Sequence, residues 1–355
     1  MLNYTSIIFV SMYHIIALYG LLNYTLTKFD IFVTLFMYVL GGFGVTMGYH
    51  RLWSHKSYKA STILKIILAF AGASASQGSI IWWTKYHRLH HNKSDTEDDP
   101  YGPQKGFLYS HILWIFENRN LPKLKDIKID DLTNDPIVKF QHKYYVLISL
   151  LSSIFLPLII YKFQNLYHCL FFPISLAKVI LWHSTWFVNS LAHYLGDQPH
   201  GKSGSSKNHL ITAFLTFGEG YHNYHHEYPY DYRNGTKWYE YDPTKLLIEF
   251  CSLIGLASEL KTVDKMYNKF IKKIKESDMT LDEYYKSNRK LIILNSRIYD
   301  IEEFLFDHPG GYQYLNSIIR KNPELINEYF YKYNNHTQGA LKLLDKFYIC
   351  DIKSL

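Results

Sequence analysis

Four stretches of this chain are apolar over too great a length for the surface of a water-soluble fold: Tyr4–Tyr24, Ile31–Tyr49, Tyr144–Tyr161 and Leu166–Asn189. A helix needs about 20 apolar residues to cross the hydrocarbon of a bilayer. Lipid offers no partner to backbone N–H and C=O groups, so helices that satisfy their own hydrogen bonds are the expected form. Short links, Thr25–Asp30 and Lys162–Tyr167, join the stretches pairwise into two helical hairpins. The expected fold is therefore an all-α integral membrane domain of four transmembrane helices in two hairpins, with a cytosolic helical cap. No basic n-region and small-residue cleavage site precede the first stretch, which reads as a retained anchor. Thr62–Ile81 is apolar but broken by Lys65, Ser74, Ser76, Gln77 and two glycines, and reads as an interfacial or partly buried helix, with a fifth span as the alternative.

Span parity then fixes sidedness. With four crossings, both termini, the segment from His50 to His142 and everything beyond Asn189 share one face. That face carries Arg51, Lys56, Lys59, Lys85, Arg88 and Lys93 near the span ends, whereas each short link carries one lysine. The positive-inside bias makes it cytosolic. The net charge of +7 comes without a basic stripe or a recognition motif, so nucleic acid is excluded as a partner in favour of anionic headgroups or an acidic substrate. Three cysteines far apart, Cys169, Cys251 and Cys350, make no disulfide framework and fit a reducing compartment.

Eight of the eighteen histidines fall into three groups: His50-Arg-Leu-Trp-Ser-His55, His87-Arg-Leu-His-His91 and His222-Asn-Tyr-His-His226. In a helix, His87, His90 and His91 share one face, as do His222, His225 and His226. His50 and His55 would diverge by about 140° on an ideal α-helix. Both reach one site only if the second span ends or bends between them. A single such group can lie on a solvated face, but three on one side of the membrane have no comparable structural explanation. Eight imidazoles exceed the four ligands of a structural zinc site, so a two-metal centre is expected. Imidazole suits iron, copper, nickel or zinc, and iron is the redox-active choice for oxygen chemistry. His14, His111, His142, His168, His183, His200 and His209 have no partner at ligand spacing and read as structural, with His111 and His183 the nearest to exceptions.

These motifs carry a resemblance. Gly48-Tyr-His-Arg-Leu-Trp-Ser-His55, His87-Arg-Leu-His-His91 with Asp95-Thr-Glu-Asp-Asp-Pro100, Asn189-Ser-Leu-Ala-His193 and Thr216-Phe-Gly-Glu-Gly-Tyr-His-Asn-Tyr-His-His226 are similar to the acyl-CoA delta-9 desaturases, especially the fungal type. The resemblance continues through Asp231-Tyr-Arg-Asn and Lys237-Trp-Tyr-Glu-Tyr-Asp-Pro-Thr-Lys245. It implies a di-iron centre, a ninth ligand in His193 and a water-mediated contact from Asn189. The i, i+4 spacing of 189 and 193 on one helical face supports that pair. Asp95, Asp98, Asp99 and Glu219 are carboxylates placed to hold the outer ring nitrogens. It also implies a long-chain acyl-CoA and molecular oxygen as substrates, with headgroup contacts near Lys85, Tyr86 and Asn118–Arg119. The family often has a different charged pair there, which leaves the acyl carrier open. Tyr38, on the face of the second span below His50, is expected to close the acyl tunnel. A membrane di-iron fatty acyl hydroxylase is the alternative reading.

From about Met279 the pattern changes to short apolar runs, as in a small α+β domain, after a lysine-rich stretch. The division expected is 1–260 for the membrane domain, 261–278 for a linker and 279–355 for the second domain. Ile298-Tyr-Asp-Ile-Glu-Glu-Phe-Leu-Phe-Asp-His-Pro-Gly-Gly311 resembles cytochrome b5, which implies haem b held by His308 and, as the second axial ligand, His336. The chain departs from the pattern at Ile319-Arg-Lys-Asn-Pro323, and the interval between the two histidines is slightly long. A haem with two imidazoles has no open position and carries electrons. An NAD(P)H-dependent cytochrome b5 reductase is then the expected source of those electrons, and the endoplasmic reticulum membrane the expected location.

Overall fold

In the computed structural model the described residues are 2–118, 123–202, 204–263, 280–287, 289–304, 319, 323–328, 330–331, 336 and 338–352. The chain starts with α1 (Tyr4–Asn23), opened by Asn3, whose side chain accepts from the Ser6 N–H. α2 (Lys28–Ser54) follows, opened by a capping box in which Thr27 and Asp30 satisfy each other's backbone N–H. α3 (Thr62–Ser74) lies against α2. The contact is close because both sides are glycine: a Cβ on Gly44 would fall 2.1 Å from the Gly72 nitrogen. Small residues of this kind let helices approach closely where lipid gives no hydrophobic drive.

α4 (Ile80–Lys93) and α5 (Phe107–His111) belong to the polar cap, and α6 (Pro136–Lys143) leads from it into the second hairpin. α7 (Tyr145–Ile160) meets α6 at an 81° bend. α8 (Leu166–Tyr194) is continuous over 29 residues. Among the described residues three helices, α1, α2 and α8, are thus long and apolar enough to cross a membrane, and a fourth crossing requires α6 and α7 together. The sequence suggested a span over Tyr144–Tyr161; α7 covers sixteen of those residues and reaches about 24 Å at 1.5 Å each, short of a bilayer core by itself. Lipid-type side chains stand exposed along these helices, including Leu18, Leu22, Phe32, Leu35, Ile66, Val146 and Ile159. At the end away from the histidines, Asp30 accepts from the Tyr161 hydroxyl at 2.5 Å and from His168 Nδ1 at 2.9 Å, which ties one hairpin to the other.

α9 (Leu210–Leu215), α10 (His222–Glu227) and α11 (Pro243–Leu253) complete the cap. A two-residue ladder, β1 (Lys59–Ala60) with β2 (Ala257–Ser258), closes it. The C-terminal part holds α12 (Leu281–Lys286), an antiparallel sheet β3 (Leu291–Leu294), β4 (Arg297–Asp300) and β5 (Tyr348–Asp351), with α13 (Pro323–Glu328) and α14 (Gln338–Leu344). Most of the expected linker lies outside the described residues.

Candidate metal centre

The last eleven residues of α2, Gly44–Ser54, are π-wound, and the His55 N–H reaches the His50 carbonyl at 3.1 Å. In an i→i+5 turn, residues five apart stack on one face. This is how the HxxxxH pair converges: their rings lie 4.8 Å apart between centroids. The expected end of the span is present at Ser54. What aligns the two histidines is a change of winding before it, and no bend between them is needed.

The nine histidines gather into two groups. His50, His55, His87, His91 and His225 form one, and His90, His193, His222 and His226 form the other, with facing ring nitrogens within 4.8 Å in each. The two HxxHH helices are forked between the groups. At 100° per residue, i and i+4 diverge by about 40° but i+3 and i+4 by about 100°. So α4 sends His87 and His91 to the first group and His90 to the second, while α10 sends His222 and His226 to the second and His225 to the first.

The nitrogen spacing tests whether metal fits. Ligand nitrogens about 2.1 Å from an ion and at right angles to one another stand about 3 Å apart. The Nε2–Nε2 distances are 3.0 Å for His50–His225, 2.6 Å for His55–His87 and 3.0 Å for His91–His225. In the second group they are 3.1 Å for His90–His226, 3.1 Å for His193–His222 and 3.0 Å for His222–His226. Burial, and then the neighbouring imidazoles, push His55, His87, His91, His222, His225 and His226 well below the ordinary histidine range. Rings held neutral offer the lone pair that a metal takes. The residues fit two ions.

Outer contacts aim the rings. Asp99 accepts from His90 Nδ1 at 2.9 Å, and Glu219 Oε2 stands 2.7 Å from His50 Nδ1. His193 Nδ1 lies 2.7 Å from Ser205 Oγ, and Ser205 in turn is bonded to Asp95. Asp98 lies elsewhere, paired with Lys123 at 2.6 Å on the surface. Glu219 sits in a buried network with Arg51, whose guanidinium also binds Asp242 through two bonds of 2.9 and 3.0 Å. Burial alone would raise the Glu219 carboxyl, but Arg51 and His50 beside it bring it below its ordinary value. Arg51, Asp242 and Ser205 escaped the sequence reading. Arg51 carried a signal, since a charge one residue after a ligand at a span end must be paired, whereas nothing in Gly201-Lys-Ser-Gly-Ser-Ser206 marks Ser205.

His50, His87, His90 and His222 form part of the wall of a cavity of ≈ 320 Å3. Trp82, Trp83, Tyr86, Trp114, Trp182 and Trp186 line one part of it, small polar residues such as Ser76, Gln77 and Thr185 another, and Asn189 opens onto it. Tyr86 is buried, which pushes its hydroxyl up to about 12. Lys85 is half-buried and outside the lining. Tyr38 is also outside it: its hydroxyl bonds to Ser184 Oγ at 3.1 Å and to the Leu215 carbonyl, and its ring packs beside Val45, which does line the cavity. Arg119 and His308 lie outside the described residues. His336 Nδ1 donates to the Phe330 carbonyl at 3.0 Å, which places the lone pair of the neutral ring on Nε2. Burial lowers this histidine too, and its ring stacks on Phe330 at 3.9 Å.

An apolar helical bundle holding two neighbouring sets of buried imidazoles against an aromatic cavity defines a membrane-bound two-metal protein. The fatty acid desaturase family model matches residues 30–256, and the cytochrome b5-like heme/steroid binding domain model matches 277–353. The chain belongs to the fatty acid desaturase family and carries a C-terminal cytochrome b5 domain. It is 37% identical over 365 aligned positions to a probable acyl-CoA desaturase of Schizosaccharomyces pombe, covering 95% of this chain and 75% of that protein. It is 36% identical to acyl-CoA desaturase 1 of Saccharomyces cerevisiae, over 87% of this chain and 66% of that one. It is 34% identical to stearoyl-CoA desaturase 5 of Homo sapiens, over 73% and 81%. The cofactors that go with these domains are a di-iron centre and haem.

Proposed function

We propose that the chain introduces a cis double bond at the delta-9 position of a saturated long-chain fatty acyl-CoA, using molecular oxygen and electrons that pass through its own cytochrome b5 domain. The observation that carries this reading is the aromatic cavity with histidines of both groups in its wall. His50, His55, His87, His91 and His225 would hold one iron, and His90, His193, His222 and His226 the other, with Asn189 placed for a water-mediated contact. When bound, the iron pair supplies oxygen activation. The protein's own share is positional. Trp82, Trp83, Trp182 and Trp186 exclude water and hold methylenes against the histidine wall, which limits reaction to carbons at that depth. Glu219, Asp99 and Ser205 fix ring tautomers, so that each inner nitrogen keeps its lone pair.

Four crossings, with α6 and α7 serving as one, put both termini and the centre on the cytosolic face of the endoplasmic reticulum membrane. Tyr86 at the cavity, with Lys85 and Arg119, would meet the acyl carrier, and Tyr38 would limit chain length by holding Val45 and its neighbours in place. His308 and His336 would ligate haem b, reduced by an NAD(P)H-dependent cytochrome b5 reductase. The test is expression in a host lacking its own desaturase, with mass spectrometry of total fatty acids. The expected result is monounsaturated acyl chains with a cis double bond at carbon nine. Hydroxylated chains would instead establish the alternative, a di-iron hydroxylase, and an unchanged lipid profile would overturn both.

A further inference from the structure

Three more histidines meet inside the bundle, apart from both metal groups. His14 of α1 donates from Nδ1 to the Val10 carbonyl at 2.7 Å, and its Nε2 lies 3.0 Å from His183 Nε2 of α8. His183 Nδ1 lies 2.9 Å from His111 Nε2 of α5. His111 Nδ1 lies 3.0 Å from Ser190 Oγ, which is 2.9 Å from the Trp186 carbonyl. Polar groups at membrane depth are costly and mark function more often than packing.

Counting hydrogens gives this chain its character. With all three rings neutral there are three ring hydrogens and one hydroxyl hydrogen. If Ser190 donates to His111, these four make every contact from Ser190 to Val10, and the contact to the Trp186 carbonyl goes without. One added proton lets the Ser190 hydroxyl turn to that carbonyl while His111 Nδ1 donates to Ser190. The excess then passes from His111 to His183 to His14 by single hops, and no bond is lost at any stage. Protonation thus adds a fifth hydrogen bond where it would ordinarily break one.

We propose that His14, His183, His111 and Ser190 form a proton-loading site, which takes up one proton at its Ser190 end, spreads it over three imidazoles and returns it by the same end. Aromatic faces surround the rings. His14 stacks on Trp186 at 6.5 Å, and His111 on Phe107 at 5.8 Å and against Phe187 at 4.8 Å, which suits a delocalised cation. No Asp or Glu occurs in α1, α5 or α8. The other ionisable side chains on these helices include Tyr4, Tyr13, Tyr19, Tyr109, Lys178, His193 and Tyr194. Of these, Lys178 is engaged by Ser153 Oγ at 3.2 Å and by the Tyr13 ring at 4.2 Å. The use of the site rests on the proposed function. Forming one double bond from two methylenes while reducing one oxygen molecule to two waters consumes two electrons and two protons. Trp186, whose carbonyl lies 2.9 Å from Ser190 Oγ, lines the cavity together with Asn189, so the stored proton leaves at that end and is replaced from the cytosol between turnovers.

The test uses the full chain, labelled with 15N at histidine, in lipid nanodiscs, with ring-nitrogen shifts followed from about pH 5 to about pH 8. His14, His183 and His111 are expected to shift together, with one proton gained among the three. His183→Leu cuts the chain, and His14 and His111 then lose their shared transition. Ser190→Ala removes the fifth bond and moves the transition to lower pH. Three independent transitions, no transition, or a shared one that survives His183→Leu would overturn the proposal. If His183→Leu does not fold, the wild type and Ser190→Ala decide the matter alone. These readings need no turnover, so a failed lipid assay would refute the activity and leave the proton site standing.

Discussion

Glu219→Gln separates the two metal groups. Glu219 Oε2 stands 2.7 Å from His50 Nδ1, and Oε1 accepts from Arg51 Nε at 3.0 Å. Both contacts are buried and charge-assisted. An amide keeps one acceptor and presents a donor on its other arm, so either His50 or Arg51 faces a donor. Arg51 remains anchored by its two bonds to Asp242, whereas His50 loses its charged outer partner in either orientation of the amide. Removing the outer partner of a metal-ligating histidine costs about 10–100-fold in affinity, equivalent to about 1.4–2.7 kcal/mol. His50 belongs to the five-histidine group alone, so only that ion is expected to loosen. The assay is iron per chain, measured by mass spectrometry after titration with a ferrous chelator. Glu219→Gln should fall from two irons to one at a chelator concentration about 10–100-fold below that for wild type. Asp99→Asn, acting through His90, should strip the ion of the four-histidine group in the same way. If Glu219→Gln loses both irons together, or resists chelator as wild type does, then the assignment of Glu219 to one group is wrong.

Three further outcomes are expected. Tyr38→Ala removes a ring that packs beside Val45 and should shift the products toward longer acyl chains; an unchanged chain-length profile in the lipid assay would remove Tyr38 from substrate selection. His336→Ala should abolish the absorption spectrum of low-spin, bis-imidazole haem while leaving iron in the membrane domain, as read by spectroscopy and metal analysis of one preparation. Asp131→Asn should lower stability by about 1 kcal/mol, because the amide keeps only one of the two bonds, of 2.9 and 2.7 Å, that Arg88 makes to this partly exposed carboxylate and turns a donor toward the other. Burial raises the Asp131 carboxyl, but Arg88 and Lys56 outweigh it and hold it below its ordinary value. A carboxyl lowered on folding stabilises above its unfolded pKa of about 3.9, and that share is lost as the pH falls through the folded value. The difference in melting temperature between wild type and Asp131→Asn should hold above about pH 5 and shrink as the pH falls below the ordinary carboxylate value of about 3.9.

The apolar helices and the histidine groups were legible in the sequence because each rests on a local pattern. α1 and the apolar length of α8 follow from hydropathy, and His87, His90, His91, His222, His225 and His226 from helical spacing. The bend between α6 and α7 was hidden because it falls at one residue, Tyr144, whose backbone leaves the helical region (φ −109°, ψ 24°), and hydropathy carries no mark of such a break. Arg51–Asp242 and His193–Ser205 were hidden for a different reason. They join positions 191 and 12 residues apart, and no local pattern carries such pairings. Seven histidines without ligand spacing read as structural, yet His14, His111 and His183 are brought into one chain by three separate helices.

The forked geometry of HxxHH explains why the motif occurs twice in a centre of this kind. A single helix cannot point three imidazoles at one ion, because its adjacent histidines diverge by about 100°. Set between two histidine groups, that divergence becomes useful: His90 and His91 divide between them on α4, and His225 and His226 do so on α10. Each helix supplies two rings to one ion and one to the other, in opposite senses, and the sum is three from each group. The deficit is then two rings for the first ion and one for the second. α2 makes up the first through His50 and His55, which the π-wound turn alone brings to one face, and α8 makes up the second through His193. Respacing the first motif tests this directly. Deleting Leu52 leaves His50 and His55 four apart, a spacing that suits an α-helix but removes the residue that the π turn accommodates. If such a chain kept both irons, the winding of α2 would have no part in building the centre.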